Sequence, residues 1–141
     1  MILIPPIDGT SHIIRFCNPD YMDNGNFSKA NFILKKGATC LSFDLLEFHN
    51  ANSFDQNLRC SIDSILNRFY RDNYILKNKF NDKKYFAIID IESLIKAVDD
   101  VEIEKVALVE PNDSHVGLYY TEEYKDEISI LLLNIANKNT I

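Results

Sequence analysis

The run Tyr85-Phe86-Ala87-Ile88-Ile89-Asp90-Ile91 most restricts what this chain can fold into. It is nearly all apolar and rich in aromatic and β-branched side chains, as expected of a central strand covered on both faces. Such a strand needs a layer on each side. A chain of 141 residues can supply them within one domain, without disulfides or metals to hold the core.

The clearest layer begins at Ser53, whose hydroxyl is placed to cap a helix with Gln56 three residues later. Phe54, Leu58, Ile62, Ile65, Leu66 and Phe69 then recur at helical spacing, one stripe facing the core, and Cys60 lies near that stripe as a small buried hydrophobe. A second helix follows Thr121, read as its cap, with Glu122 and Glu123 complementing the dipole of the first turn. Ile128, Leu131, Leu132 and Ile135 make its buried stripe, and the tail from Asn137 frays. Glu92 to Asp99 reads as a short helix. The basic stretch Lys77 to Lys84, which carries its own Asp82, reads as a solvated loop.

Ile2 to Gly9, with Pro5 and Pro6, is an extended lead-in. Strands are expected over Ser11 to Cys17, Phe27 to Leu34, Val101 to Val109 and His115 to Tyr120, with turns at Asp23-Asn24-Gly25-Asn26 and Pro111-Asn112-Asp113-Ser114. The stretch from Asn31 to Asn50 is the densest mixture of core and polar residues. Its Leu41, Phe43 and Leu45 alternate as in a half-buried strand, while Asp44 with Glu47 resembles a capping box that would start one or two helical turns. Strands, a helix, a strand, a short helix, two strands and a helix make an α+β (mixed α/β) single domain over 1–141. It has a central, mostly antiparallel or mixed sheet and two main helices at about 53–72 and 121–137.

A net charge of -6 speaks against a broad nucleic-acid surface, because duplex binding draws on clustered Lys and Arg. Cys17, Cys40 and Cys60 are odd in number and widely spaced, which suits a reducing compartment. With no signal-peptide or membrane-spanning run, a cytoplasmic location is expected, without membrane association.

Two histidines share a setting. Ser11-His12 and Ser114-His115 each follow a turn and open an apolar strand; on neighbouring parallel strands His12 and His115 could serve as base and acid, with Arg15 on an anion. The alternative is that both are strand-edge histidines bonded to nearby backbone. Arg15 within an apolar run needs a partner, and Asp44, Glu47 or Asp90 could supply it, or else a phosphate-bearing ligand. Ser42, Asp44 and Glu47 are candidate ligand or structural contacts. The sequence holds no Gly-rich phosphate loop, nucleophile elbow or metal-binding motif, so neither a metal nor another cofactor is expected.

The series His12-x-x-Arg15-x-Cys17, Ala30-Asn31-Phe32, Leu41-Ser42, Leu46-Glu47 and Ser114-His115-x-Gly117 resembles a group of short uncharacterised bacterial proteins over most of the chain, with Asp44-Leu45 where that group carries an aromatic. The resemblance marks positions and implies no activity. An acidic, well-patterned domain without a complete catalytic set fits a partner-binding subunit of a multi-component bacterial system, of the anti-phage defence or toxin and antitoxin kind, built around a larger protein. The rivals are a small enzyme acting on a nucleotide or RNA end through His12 and His115, and an ADP-ribosyltransferase-like domain using His12 or Arg15, Ser42 and Glu110.

Overall fold

A computed structural model describes residues 1–139, the side chains of 110–112 excepted. Its strands are β1 (Ile2–Leu3), β2 (His12–Phe16), β3 (Leu41–Leu45), β4 (Phe86–Asp90), β5 (Ala107–Asn112) and β6 (His115–Tyr119). Its α-helices are α1 (Phe54–Phe69), α2 (Tyr74–Lys79), α3 (Ile91–Asp100) and α4 (Lys125–Lys138). The strands form one sheet in the order β1-β5-β6-β3-β2-β4, antiparallel throughout except for β1 beside β5. This is the expected α+β domain, with α1 and α4 as its main helices.

Strand alternation sorts the core into two layers. Ile13, Phe43, Leu45, Ile89, Val116 and Leu118 face α3 and α4, where Leu94, Val98, Ile128 and Leu132 complete the larger core. Ile14 and Phe86 face α1 and meet Leu58, Ile62, Ile65 and Leu66. Each such side chain contributes about 1.5–3 kcal/mol by leaving water. The second layer draws nothing from β5 or β6 among the described residues, so α1 covers half a sheet face.

The run at 86–90 is covered on both faces, yet it stands at the sheet edge and not the centre. Apolar composition reports cover above and below a strand, not pairing beside it. Here the edge is met by the end of α4: Asn139 Nδ2 donates to Ile88 O and to Asp90 Oδ1, both at 3.0 Å, so the expected fraying does not begin at Asn137.

α1 starts as expected, with Ser53 Oγ accepting from Gln56 N–H at 3.2 Å. Phe54 and Phe69 at its ends are 40% and 62% exposed. Cys60 is exposed as well, since two residues beyond buried Leu58 it is turned about 200° around the helix.

Other departures have local causes. Residues 27–34 are not a strand: Lys29–Phe32 is a 3₁₀ helix, and Ser28 N–H donates to Asn31 Oδ1 at 2.8 Å where a ladder would have used it. Extension over 101–106 is broken by left-handed backbone at Glu102 (φ 57) and Lys105 (φ 61), and the expected alternation is lost: only Ile103 and Val106, three residues apart, are buried there. Asn73 Oδ1 caps α2 by accepting from Leu76 N–H at 3.1 Å, so helix extends to Lys79 where a loop was expected. Thr121 makes no side-chain cap, and a 3₁₀ turn at Glu122–Tyr124 precedes α4. None of the described helices is long and apolar enough to cross a membrane.

Candidate functional site

The two middle strands do not stay together. β2 and β3 pair at Ile13 with Leu45 and Ile14 with Asp44, and their register ends there. Both strands continue, β2 against β4 as far as Phe16 and β3 against β6 back to Leu41. The next two pairs in sequence register, Arg15 with Phe43 and Phe16 with Ser42, therefore face a gap.

Arg15 fills part of it. Its Nε donates to Asn31 O at 2.8 Å and its Nη1 to Ser42 O at 2.9 Å, and the guanidinium carbon lies 5.9 Å from the centroid of the Phe43 ring. The expected carboxylate partner is absent: Asp44, Glu47 and Asp90 are all engaged elsewhere, and two backbone carbonyls hold the cation among the described residues. Burial pulls Arg15 down from its ordinary value, which at neutral pH leaves it charged.

Above the gap stands the last part of α1. Ile14, Arg15, Phe16, Ser42, Phe43, Ile65, Arg68, Phe69 and His115 line a groove of about 410 Å³. Its floor is the sheet, its wall is α1, and its polar groups come from four elements, β2, β3, α1 and β6.

Asp44 lies fully buried beside this groove, and it does not cap a helix as expected, because β3 runs on to Leu45 before the 3₁₀ turn Leu46–His49. Its Oδ1 accepts from Ser114 Oγ at 2.5 Å and from Arg68 Nη1 at 3.2 Å, while Oδ2 meets His49 Nε2 at 2.9 Å. Ser64 Oγ stands 3.4 Å from Ser114 Oγ and 3.4 Å from Arg68 Nη1. Three elements bring polar groups to one carboxylate, as a buried charge requires. This is not a nucleophile relay: the carboxylate sits between serine and imidazole, where a relay needs the imidazole in the middle.

Glu47 serves His12 instead, accepting from its backbone N–H at 2.5 Å and contacting its Nδ1 at 3.0 Å, with the Phe54 ring edge-on. Asp90 caps α3 through Ser93 N–H at 3.0 Å; burial works to raise its carboxyl, and the bonds from Ser93 and Asn139 outweigh that and hold it low.

His12 and His115 do share a sheet face and run on parallel strands, but β3 lies between them. Two strand spacings and two residues of offset place their Cα atoms about 12 Å apart. His12 stands with Glu47 and Phe54, while His115 lies opposite Asp44 at the groove. Burial first, then Arg68, pulls the His115 imidazole down, against an upward pull from Asp44. Of the candidate residues, the structure gathers Arg15, Ser42, Asp44 and His115 and sets His12 and Glu47 apart. Glu110, as a side chain, lies outside the described residues.

Arg68, His49 and Ser64 are the members sequence reasoning missed. The signal for Arg68 was its place three residues after Ile65, on the buried face of α1. His49 follows a predicted helical turn and carried no pattern.

Beside the groove the surface changes character. Phe69, Tyr70, Arg71, Tyr74 and Ile75 line one shallow depression, in which Phe69, Tyr74 and Ile75 are 62%, 75% and 79% exposed. In comparisons with protein-family models, with curated proteins and with solved structures, nothing matches this chain.

Proposed function

We propose that the protein is a partner-binding module that docks a larger protein of a multi-component system through the turn between α1 and α2. The observation that carries this is the exposed cluster of Phe69, Tyr74 and Ile75 on one depression. Three large apolar side chains held together in water on a small domain mark a contact surface.

Charge indicates the partner's chemistry. Residues 59–84 hold seven Lys and Arg against three Asp, whereas 85–139 hold four against twelve acidic residues. The apolar cluster thus lies within a net-basic stretch of an acidic molecule, with Arg71 and Asp72 both lining its depression and Arg68 and Lys77 near it in sequence. A partner with an apolar contact ringed by Asp and Glu fits it, and such a rim steers association.

The test is recovery of the full-length tagged protein from its own cells at low and high salt, beside the double variant Tyr74→Ser, Ile75→Ser. A stoichiometric protein partner retained by the wild type at low salt, weakened by salt and lost in the variant, is the expected result. Unchanged association in the variant, or a pure chain that only self-associates, overturns the reading.

A further inference from the structure

We infer that the groove between α1 and the parted strands β2 and β3 is a binding site for a small oxyanion carried on an aromatic or other apolar body. This site is separate from the docking surface: Tyr74 and Ile75 lie outside it, and the two share only Phe69.

The polar groups around the groove have hydrogen-bonding capacity that the protein does not use. Arg68 makes its bonds through Nη1 alone, to Asp44 and Ser64, leaving Nε and Nη2 without partners among the described residues. Arg15 uses Nε and Nη1, leaving Nη2 in the same condition. The Ser42 hydroxyl is exposed and the His115 ring half-buried, both again without protein hydrogen bonds among the described residues.

Arg68, Ser42 and His115 border the hollow from the α1 side, and Arg15, which leaves β2 on the same face as Ile13, reaches it through the gap between β2 and β3; both guanidinium groups have the fork geometry that matches phosphate and carboxylate oxygens. The one carboxylate nearby, Asp44, is fully buried with both oxygens engaged, so it balances one of the two cations and leaves the other without a counter-charge.

The remaining walls set the body of the ligand. Ile14, Phe16, Ile65 and Phe69 are apolar, and Phe16 and Phe69 stand with ring centroids 5.7 Å apart on the α1 side. A volume of about 410 Å³ lies within the range of small-molecule sites, which are mostly apolar with a few placed polar groups. A bare inorganic ion would leave those walls wet. An arene bearing a phosphoryl or carboxylate group fills both parts.

The experiment titrates isotope-labelled full-length protein with phenyl phosphate, benzoate and inorganic phosphate, following the side-chain resonances of Arg15, Arg68 and His115 by NMR. The expected result is saturable shifts at all three with phenyl phosphate or benzoate, His12 serving as the unshifted control. The stronger of these two probes identifies the oxyanion. Binding of the aryl probe is expected to weaken about tenfold in Arg68→Gln, and inorganic phosphate to bind about tenfold more weakly than the aryl probe. Because Arg68 also supports Asp44, Ser42→Ala and Phe69→Ala provide variants outside the buried cluster, each expected to weaken binding severalfold in a folded protein. Absence of saturable shifts, shifts unchanged in all three variants, or equal binding of inorganic phosphate as an adventitious ion only would each overturn the inference.

Discussion

His115 shows how much of a residue's behaviour depends on what lies across a strand pair. Opposite Asp44 and near Arg68, it is half-buried and its imidazole is held below the usual range, first by burial and then by the Arg68 charge. The unfolded chain therefore takes up this proton more readily than the folded one, and stability must fall as the solution is acidified. The contribution is complete above about pH 6.5, the ordinary histidine value, and is lost as pH drops from there through the folded-state value. Urea unfolding at stepped pH should show this slope in the wild type and a shallower one in His115→Asn, the difference isolating one residue from Asp8 and Asp90, whose lowered values act at more acidic pH. The sequence placed Ser114 and His115 together at the start of a strand. It could not show that Ser114 would serve a buried Asp44, because that pairing spans 70 residues and depends on the register of β3 with β6.

Among the elements, β4 and α1 were readable for opposite reasons. The 3.6-residue period of Leu58, Ile62 and Ile65 is a property of α1 itself, and it located both the helix and its buried face. The apolar run of β4 located a strand and its two covering layers but not its neighbours, since an edge strand between helices has the same composition as a central one. The segments at 27–34 and 101–106 were misread because the apolar spacing of Phe32 with Leu34 and of Val101 with Ile103 suggested strands, while side-chain bonds or left-handed residues decide the backbone. What protects the edge of β4 is Asn139, which bonds Ile88 O at 3.0 Å. Replacing Asn139 by Ala removes this bond and the one to Asp90, so a loss of about 1–2 kcal/mol in urea unfolding is expected. Concentration-dependent association by light scattering is expected as well, because an uncovered strand edge is a pairing template.

For the whole molecule, the charge distribution matters more than its sum. Within a net charge of -6, residues 59–84 are net basic and residues 85–139 strongly acidic, although Arg59 and Lys83 of the first stretch are engaged near the start of α1, with Asn81 O and Asp55. The groove itself left no trace in the sequence, because it arises from pairs that are missing, Arg15 with Phe43 and Phe16 with Ser42, and residue patterns encode the contacts a chain makes. Those missing pairs have a further consequence for motion. Backbone amides in the middle of a six-stranded sheet ordinarily exchange with solvent deuterium only on global unfolding. Phe16 and Ser42 sit on central strands but border an opening, and they should exchange much faster than Ile13 and Leu45 one turn of the ladder away. A sheet parted at one end of β2 and β3, and paired elsewhere, offers a small molecule a way to the groove floor that does not require the fold to come apart.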